Sequence, residues 1–95
     1  MQIIIQSLHF NARPDLEAHV NDKVNHLEHY FDKIETANVT LKIEPHDDGD
    51  KVCEIRLAIP GNDLFVKKYA ASFEEAVNRT VDVLEEQIKR LKGKR

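Results

Sequence analysis

The sequence predicts an α+β fold: a two-layer β-α-β-β-β-α sandwich, with a four-stranded mixed sheet and two helices on one face. Three observations predict it. Apolar and polar residues alternate through three consecutive stretches, at Val39, Leu41, Ile43, then Cys53, Ile55, Leu57, Ile59, then Leu64, Val66. Two other stretches space their apolar residues at helical intervals, and turn-forming residues sit at the joins. Alternation means a strand with one buried face, and a single apolar stripe means a helix lying on something.

Residues 2–8 open the chain as a short β-rich run containing Ile3, Ile4 and Ile5. Asn11-Ala12-Arg13-Pro14-Asp15 breaks it, and Pro14 suits the first turn of a helix. Leu16, Val20, Val24, Leu27 and Phe31 then give helical spacing, with Asp15 and Glu17 complementing the helix dipole; this helix is expected to end near Asp32 or Lys33. The second strand follows through Ile43, and Pro45-His46-Asp47-Asp48-Gly49-Asp50 turns the chain into the third. Pro60-Gly61-Asn62-Asp63 makes the next turn, and a fourth strand runs to about Ala70, completing an antiparallel meander. Ser72, with Glu75 three residues on, reads as a capping box for a second helix. Its stripe is Phe73, Ala76, Val77, Thr80, Leu84, Ile88 and Leu91. A right-handed crossover places helix one over the sheet and helix two beside it, leaving the other sheet face outward.

Ninety-five residues are enough for one domain, 1–95, with one modest core. No apolar run approaches the ~20 residues that span a bilayer, so no membrane partner is expected. The start of the chain lacks a basic region and a small-residue cleavage site, and the single cysteine, Cys53, lies among apolar neighbours. These features predict a cytoplasmic protein with a core thiol. No enzyme is expected: there is no glycine-rich phosphate loop and no nucleophile beside a base, hence no cofactor and no small-molecule substrate. His19, Asp22, His26 and His29 share one side of helix one, but ligands on one straight helix rarely converge, so no metal is expected. The Asp47-Asp48-Gly49-Asp50 turn lacks the twelve-residue calcium pattern.

Charge is distributed unevenly. The last seventeen residues carry six basic and three acidic side chains, and taking this +3 from the whole-chain −3 leaves −6 for residues 1–78. Lys89, Arg90, Lys92, Lys94 and Arg95 form a basic tail from about residue 89. Steps of ~100° per residue place His19, Asp22, Lys23, His26 and Tyr30 along one flank of helix one. They place Arg79, Val83, Glu86 and Arg90 along one flank of helix two, with Lys89 and Lys92 nearer the other. Two readings fit this spacing: a surface for a polyanion, and a solvated face whose lysines serve solubility.

The chain resembles the ribosome hibernation promoting factors, also described as ribosome-associated inhibitors or sigma-54 modulation proteins. The matching pieces are Ile3-Ile4-Ile5-Gln6-Ser7-Leu8-His9-Phe10, Lys23-Val24-Asn25-His26-Leu27-Glu28-His29-Tyr30-Phe31 and Pro60-Gly61-Asn62-Asp63-Leu64-Phe65. Ser72-Phe73-Glu74-Glu75-Ala76 and Leu84-Glu85-Glu86-Gln87-Ile88-Lys89-Arg90 complete them, and the short version of the family is the nearest in form. The resemblance implies a domain that sits in the decoding cleft of the small ribosomal subunit and contacts its ribosomal RNA. It carries over Lys23, Arg79, Lys89, Arg90 and Lys92 as RNA-contacting residues, with Arg13 a weaker match. The expected geometry is a trough between parallel helices that Lys23, Arg79 and Arg90 share.

The chain departs from that pattern at His26, where a second lysine is usual, and at Val83, Glu85 and Glu86, where basic residues are common. Imidazole gains charge below pH ~6.5, so two readings fit His26: a contact that strengthens RNA binding as pH falls, and a spectator histidine on a wet face. Comparing small-subunit affinity at about pH 6.2 and about pH 7.6, with and without His26→Gln, separates them; equal responses discard the contact. The outer sheet face carries Lys42, Arg56, Phe65, Lys67 and Tyr69, which suit a protein partner or a weak homodimer contact.

Overall fold

The computed structural model describes residues 1–93. In chain order the elements are β1 (Gln2–Ser7), α1 (Pro14–Asn25), β2 (Thr36–Ile43), β3 (Lys51–Ile59), β4 (Asn62–Ala70) and α2 (Phe73–Gly93). The sheet runs β1-β2-β3-β4, with β1 parallel to β2 and the rest antiparallel, as the β-α-β-β-β-α order predicts. The crossover through α1 makes the parallel pair, and the two short turns make the meander.

Registration places one row of side chains per face. Ile5, Val39, Ile55 and Val66 stand opposite one another on the helix side, as do Ala37, Leu57 and Leu64. Leu16, Val20 and Val24 of α1, and Ala76, Val77, Val81, Leu84 and Ile88 of α2, close over them, all buried. Burying each leucine-sized side chain contributes about 1.5–3 kcal/mol, so matched apolar stripes fix the helices to this face. Thr80 is the one buried polar side chain among the described residues; its hydroxyl donates to the Ala76 carbonyl at 2.7 Å and lies 3.3 Å from the Cys53 carbonyl. A hydroxyl in the core is thereby satisfied, and α2 is tied to β3.

Two boundaries differ from the sequence reading. The α-helix does not continue to Asp32 or Lys33: it ends at Asn25 and tightens into a 3₁₀ turn, His26–His29. Asn and His are weak helix formers, and the tighter turn still buries Leu27 while the N–H groups of Tyr30 and Phe31 both reach its carbonyl, at 3.0 and 3.2 Å. Residue 8 lies just beyond β1, although its N–H still reaches the Leu41 carbonyl at 2.9 Å. At the start of α2, the Ser72 hydroxyl accepts the Glu75 N–H at 3.2 Å, half of the expected capping box. The Glu75 carboxylate turns to Arg79 instead.

Candidate nucleic-acid interface

The two helices run in the same direction, since residue numbers rise together along their contact. His19 Nε2 lies 2.9 Å from Asn78 Oδ1. One helical turn on, Asp22, Lys23 and His26 face Val81, Asp82 and Glu85 across a hollow of about 290 Å³. Beyond it the Lys89 ammonium stands 5.1 Å from the centre of the Tyr30 ring, a cation–π contact. Lys92 borders a second hollow, of about 350 Å³, with Glu28, Tyr30 and Lys33. Parallel helices bring both C-terminal ends to one end of the molecule, where basic side chains oppose the helix dipoles favourably. Lys23 and His26 thus border the first hollow and Lys92 the second, with Lys89 over Tyr30, whose edge also meets the His26 ring at 5.7 Å between centroids.

The expected trough shared by Lys23, Arg79 and Arg90 is not formed: Arg79 and Arg90 lie on the other flank of α2 from Lys23. Arg79 donates to the Tyr69 carbonyl of β4 at 2.7 Å and pairs with Glu75, which draws it to the flank away from α1. Arg90 lies eleven residues on, close to three full turns, and so shares that flank; its guanidinium is 3.8 Å from Glu86. Arg13 is in the loop before α1, 3.8 Å from Asp15. The cations therefore divide into two sets. Arg13, Arg79 and Arg90 each have a carboxylate partner, whereas no ion pair is formed by Lys23, Lys89 or Lys92 among the described residues. Lys94 and Arg95, the end of the basic tail, lie outside the described residues.

The acidic departures also separate. Glu85 projects into the groove, where its interaction with the Tyr30 hydroxyl raises that phenol's pKa, while Glu86 stays on the outer flank with Arg90. The i, i+4 spacing of Glu75 and Arg79 was a signal that this arginine would be held locally. Asn78 and Asp82 as groove residues had no such signal, because their facing depends on where α1 packs. Among the described residues, no group of three or more His, Cys, Asp or Glu side chains is placed to hold a metal ion.

The outer sheet face is electrically quiet by comparison. Lys42 lies 2.8 Å from Glu54 and 3.3 Å from Glu44, and Lys67 lies 3.1 Å from Glu44, so two cations face two anions. Hydrogen bonds from Tyr69, Lys67 and Lys42 lower the Glu44 carboxyl to about 2. His46 stacks on Tyr69 at 3.8 Å, and the Arg56 guanidinium covers Phe65 at 4.9 Å. Both rings are therefore partly occupied by the protein itself. No helix among the described residues is long and apolar enough to cross a membrane.

Residues 3–95 match the family model described as sigma 54 modulation protein / S30EA ribosomal protein. A ribosome hibernation promoting factor from Pseudomonas putida is 31% identical over 94 residues, covering 99% of this chain and 89% of that protein. A ribosome hibernation promotion factor from Deinococcus radiodurans is 28% identical over 79 residues, which are 81% of this chain and 41% of that protein. The N-terminal domain of Protein Y from Thermus thermophilus superposes with a TM-score of 0.83 at 28% identity, covering 96% of this chain and 99% of that domain.

Proposed function

The chain belongs to the sigma 54 modulation protein / S30EA ribosomal protein family, and on that footing we propose that it is a ribosome hibernation factor. It acts by occupancy. The folded domain binds ribosomal RNA of the small subunit in the decoding cleft, and its bulk fills the path of messenger and transfer RNA during starvation or stationary phase. No bond is made or broken, so release follows from competition and from salt-sensitive affinity.

One observation carries the choice of surface: Lys23 at the hollow between the helices, Lys89 over Tyr30 and Lys92 at the adjoining hollow have no carboxylate ion-pair partners among the described residues. An unpaired ammonium can exchange its water and counterion for phosphate, whereas a cation already paired with a carboxylate must first give up that partner. His26 adds a donor at the same rim. Asp82 and Glu85 oppose phosphate there and set an affinity below that of a uniformly basic groove. Arg79 and Arg90 form a secondary, outward contact. The outer sheet face, with its paired charges, is the weaker candidate for a polyanion.

Sedimenting the chain with small ribosomal subunits at low and high salt tests the reading. Co-migration that disappears as salt rises is the expected result. Absence of co-migration at low salt would overturn the proposal and favour a protein partner on the outer sheet face.

A further inference from the structure

Edge strands are usually blunted by charge, proline or a bulge, but β1 reads Gln2-Ile3-Ile4-Ile5-Gln6-Ser7 and carries no charge or proline. It is an edge of the sheet, with β2 as its only neighbour among the described residues. Its first five residues also read the same in both directions about Ile4. The direction of its peptide groups follows from two hydrogen bonds. The Gln2 N–H donates to the Glu35 carbonyl at 3.0 Å and the Leu8 N–H to the Leu41 carbonyl at 2.9 Å. Even-numbered residues thus point their peptide groups at β2, and alternation turns those of Ile3, Ile5 and Ser7 to the open edge.

We propose that this edge docks a second copy of the chain, antiparallel, about a two-fold axis at Ile4. In that register Ile3 lies opposite Ile5 of the second copy and Ile5 opposite its Ile3. These are the residues whose N–H and C=O face outward, so about four backbone hydrogen bonds form without disturbing the pairing with β2. Ile4, 44% exposed on the outer face, meets its own symmetry mate, and Gln2 meets Gln6. No charged side chain lies on the strand, so the axis brings no like charges together. Sliding by two residues sets Ile4 against Gln6 in one direction and against Gln2 in the other, so only the register centred on Ile4 pairs the two exposed isoleucines with each other. Edge pairing of one short strand buries far less than the ~1,200 Å² of a small stable interface, so the association is weak and concentration-driven. The groove lies between α1 and α2 and does not include β1, so pairing and polyanion binding use separate surfaces.

Residue-resolved amide exchange, from about 10 μM to about 1 mM protein, tests this. The Ile3 and Ile5 amides should gain protection as concentration rises, with Ile4 and Gln6 protected throughout. The sedimenting mass should rise above the 11.0 kDa of one chain. Ile4→Lys should remove the concentration dependence without unfolding an exposed position. Under mild oxidation Ile4→Cys should form a linked dimer, because directly opposed Cβ atoms lie ~4.5–5.5 Å apart; Gln2→Cys, set opposite Gln6, should not. Exchange at Ile3 and Ile5 that ignores concentration, or equal cross-linking of the two cysteine variants, overturns the proposal.

Discussion

Gly49 shows how much one residue can depend on a distant part of the chain. It sits in the β2–β3 turn at φ +122°, where a Cβ would lie 2.2 Å from both the carbonyl carbon and the oxygen of Ala70. Gly61, in the next turn, has φ +80° but open space around it. Gly49→Ala should therefore cost ~3 kcal/mol or more, combining backbone strain with a collision, and Gly61→Ala about 1 kcal/mol. Urea unfolding of both variants measures the difference; a smaller destabilisation at Gly49 would contradict the close approach. Its neighbouring aspartates predicted a turn, but nothing local predicted that the end of β4 would press against it. Cys53 is the opposite case. Its apolar neighbours predicted a core thiol, and burial pushes it up to about 12, which leaves it inert toward redox chemistry.

Elements are joined at the far end of β2 by Glu44, which ties that strand to β4. Its carboxylate accepts from the Tyr69 hydroxyl and from Lys67, lies 3.3 Å from Lys42, and is lowered from 4.5 to about 2 in consequence. A depressed carboxylate stabilises the fold fully above its ordinary range, and that contribution is lost as pH falls from about 4.5 toward about 2. Tyr69→Phe removes the largest cause, so the Glu44 carboxyl should titrate at higher pH and acid should weaken the β2–β4 link sooner. A carbon-detected NMR titration of Glu44 checks it, and an unmoved midpoint would refute the assignment. The 3₁₀ ending of α1 is likewise a property of an element. Apolar periodicity located the helix, but a tighter turn also buries Leu27, so the stripe alone could not fix where the α-helix stops.

For the intact domain, polyanion binding can follow total charge or the arrangement of that charge. Each phosphate that a side chain neutralises contributes ~0.7, for single-stranded nucleic acid, or ~0.9, for duplex, to the slope of log affinity against log salt. Reversing Lys23 and Lys89 together to Glu should reduce affinity for the small subunit by roughly 100-fold at low salt and flatten that slope by ~1.4–1.8. Reversing Arg13 and Arg90, which pair with Asp15 and Glu86, changes net charge equally and should cost far less. Equal reductions from the two pairs would assign binding to overall charge and remove the groove from the account.

Element order, the faces of the strands, the apolar stripes of both helices and the acidic body with a basic end were all legible in the residues alone. Each is periodic or compositional, set by the fixed geometry of the chain over a few residues. The separation of Lys89 and Lys92 from Arg79 and Arg90 around α2 was legible too, because azimuth on one helix is local. Packing was needed to settle which of those flanks looks at α1, that β4 captures Arg79 through the Tyr69 carbonyl, and that Glu85 enters the groove. The rotation of a packed helix against its neighbour is fixed by the shapes of the two buried faces together, which no single stretch of sequence contains.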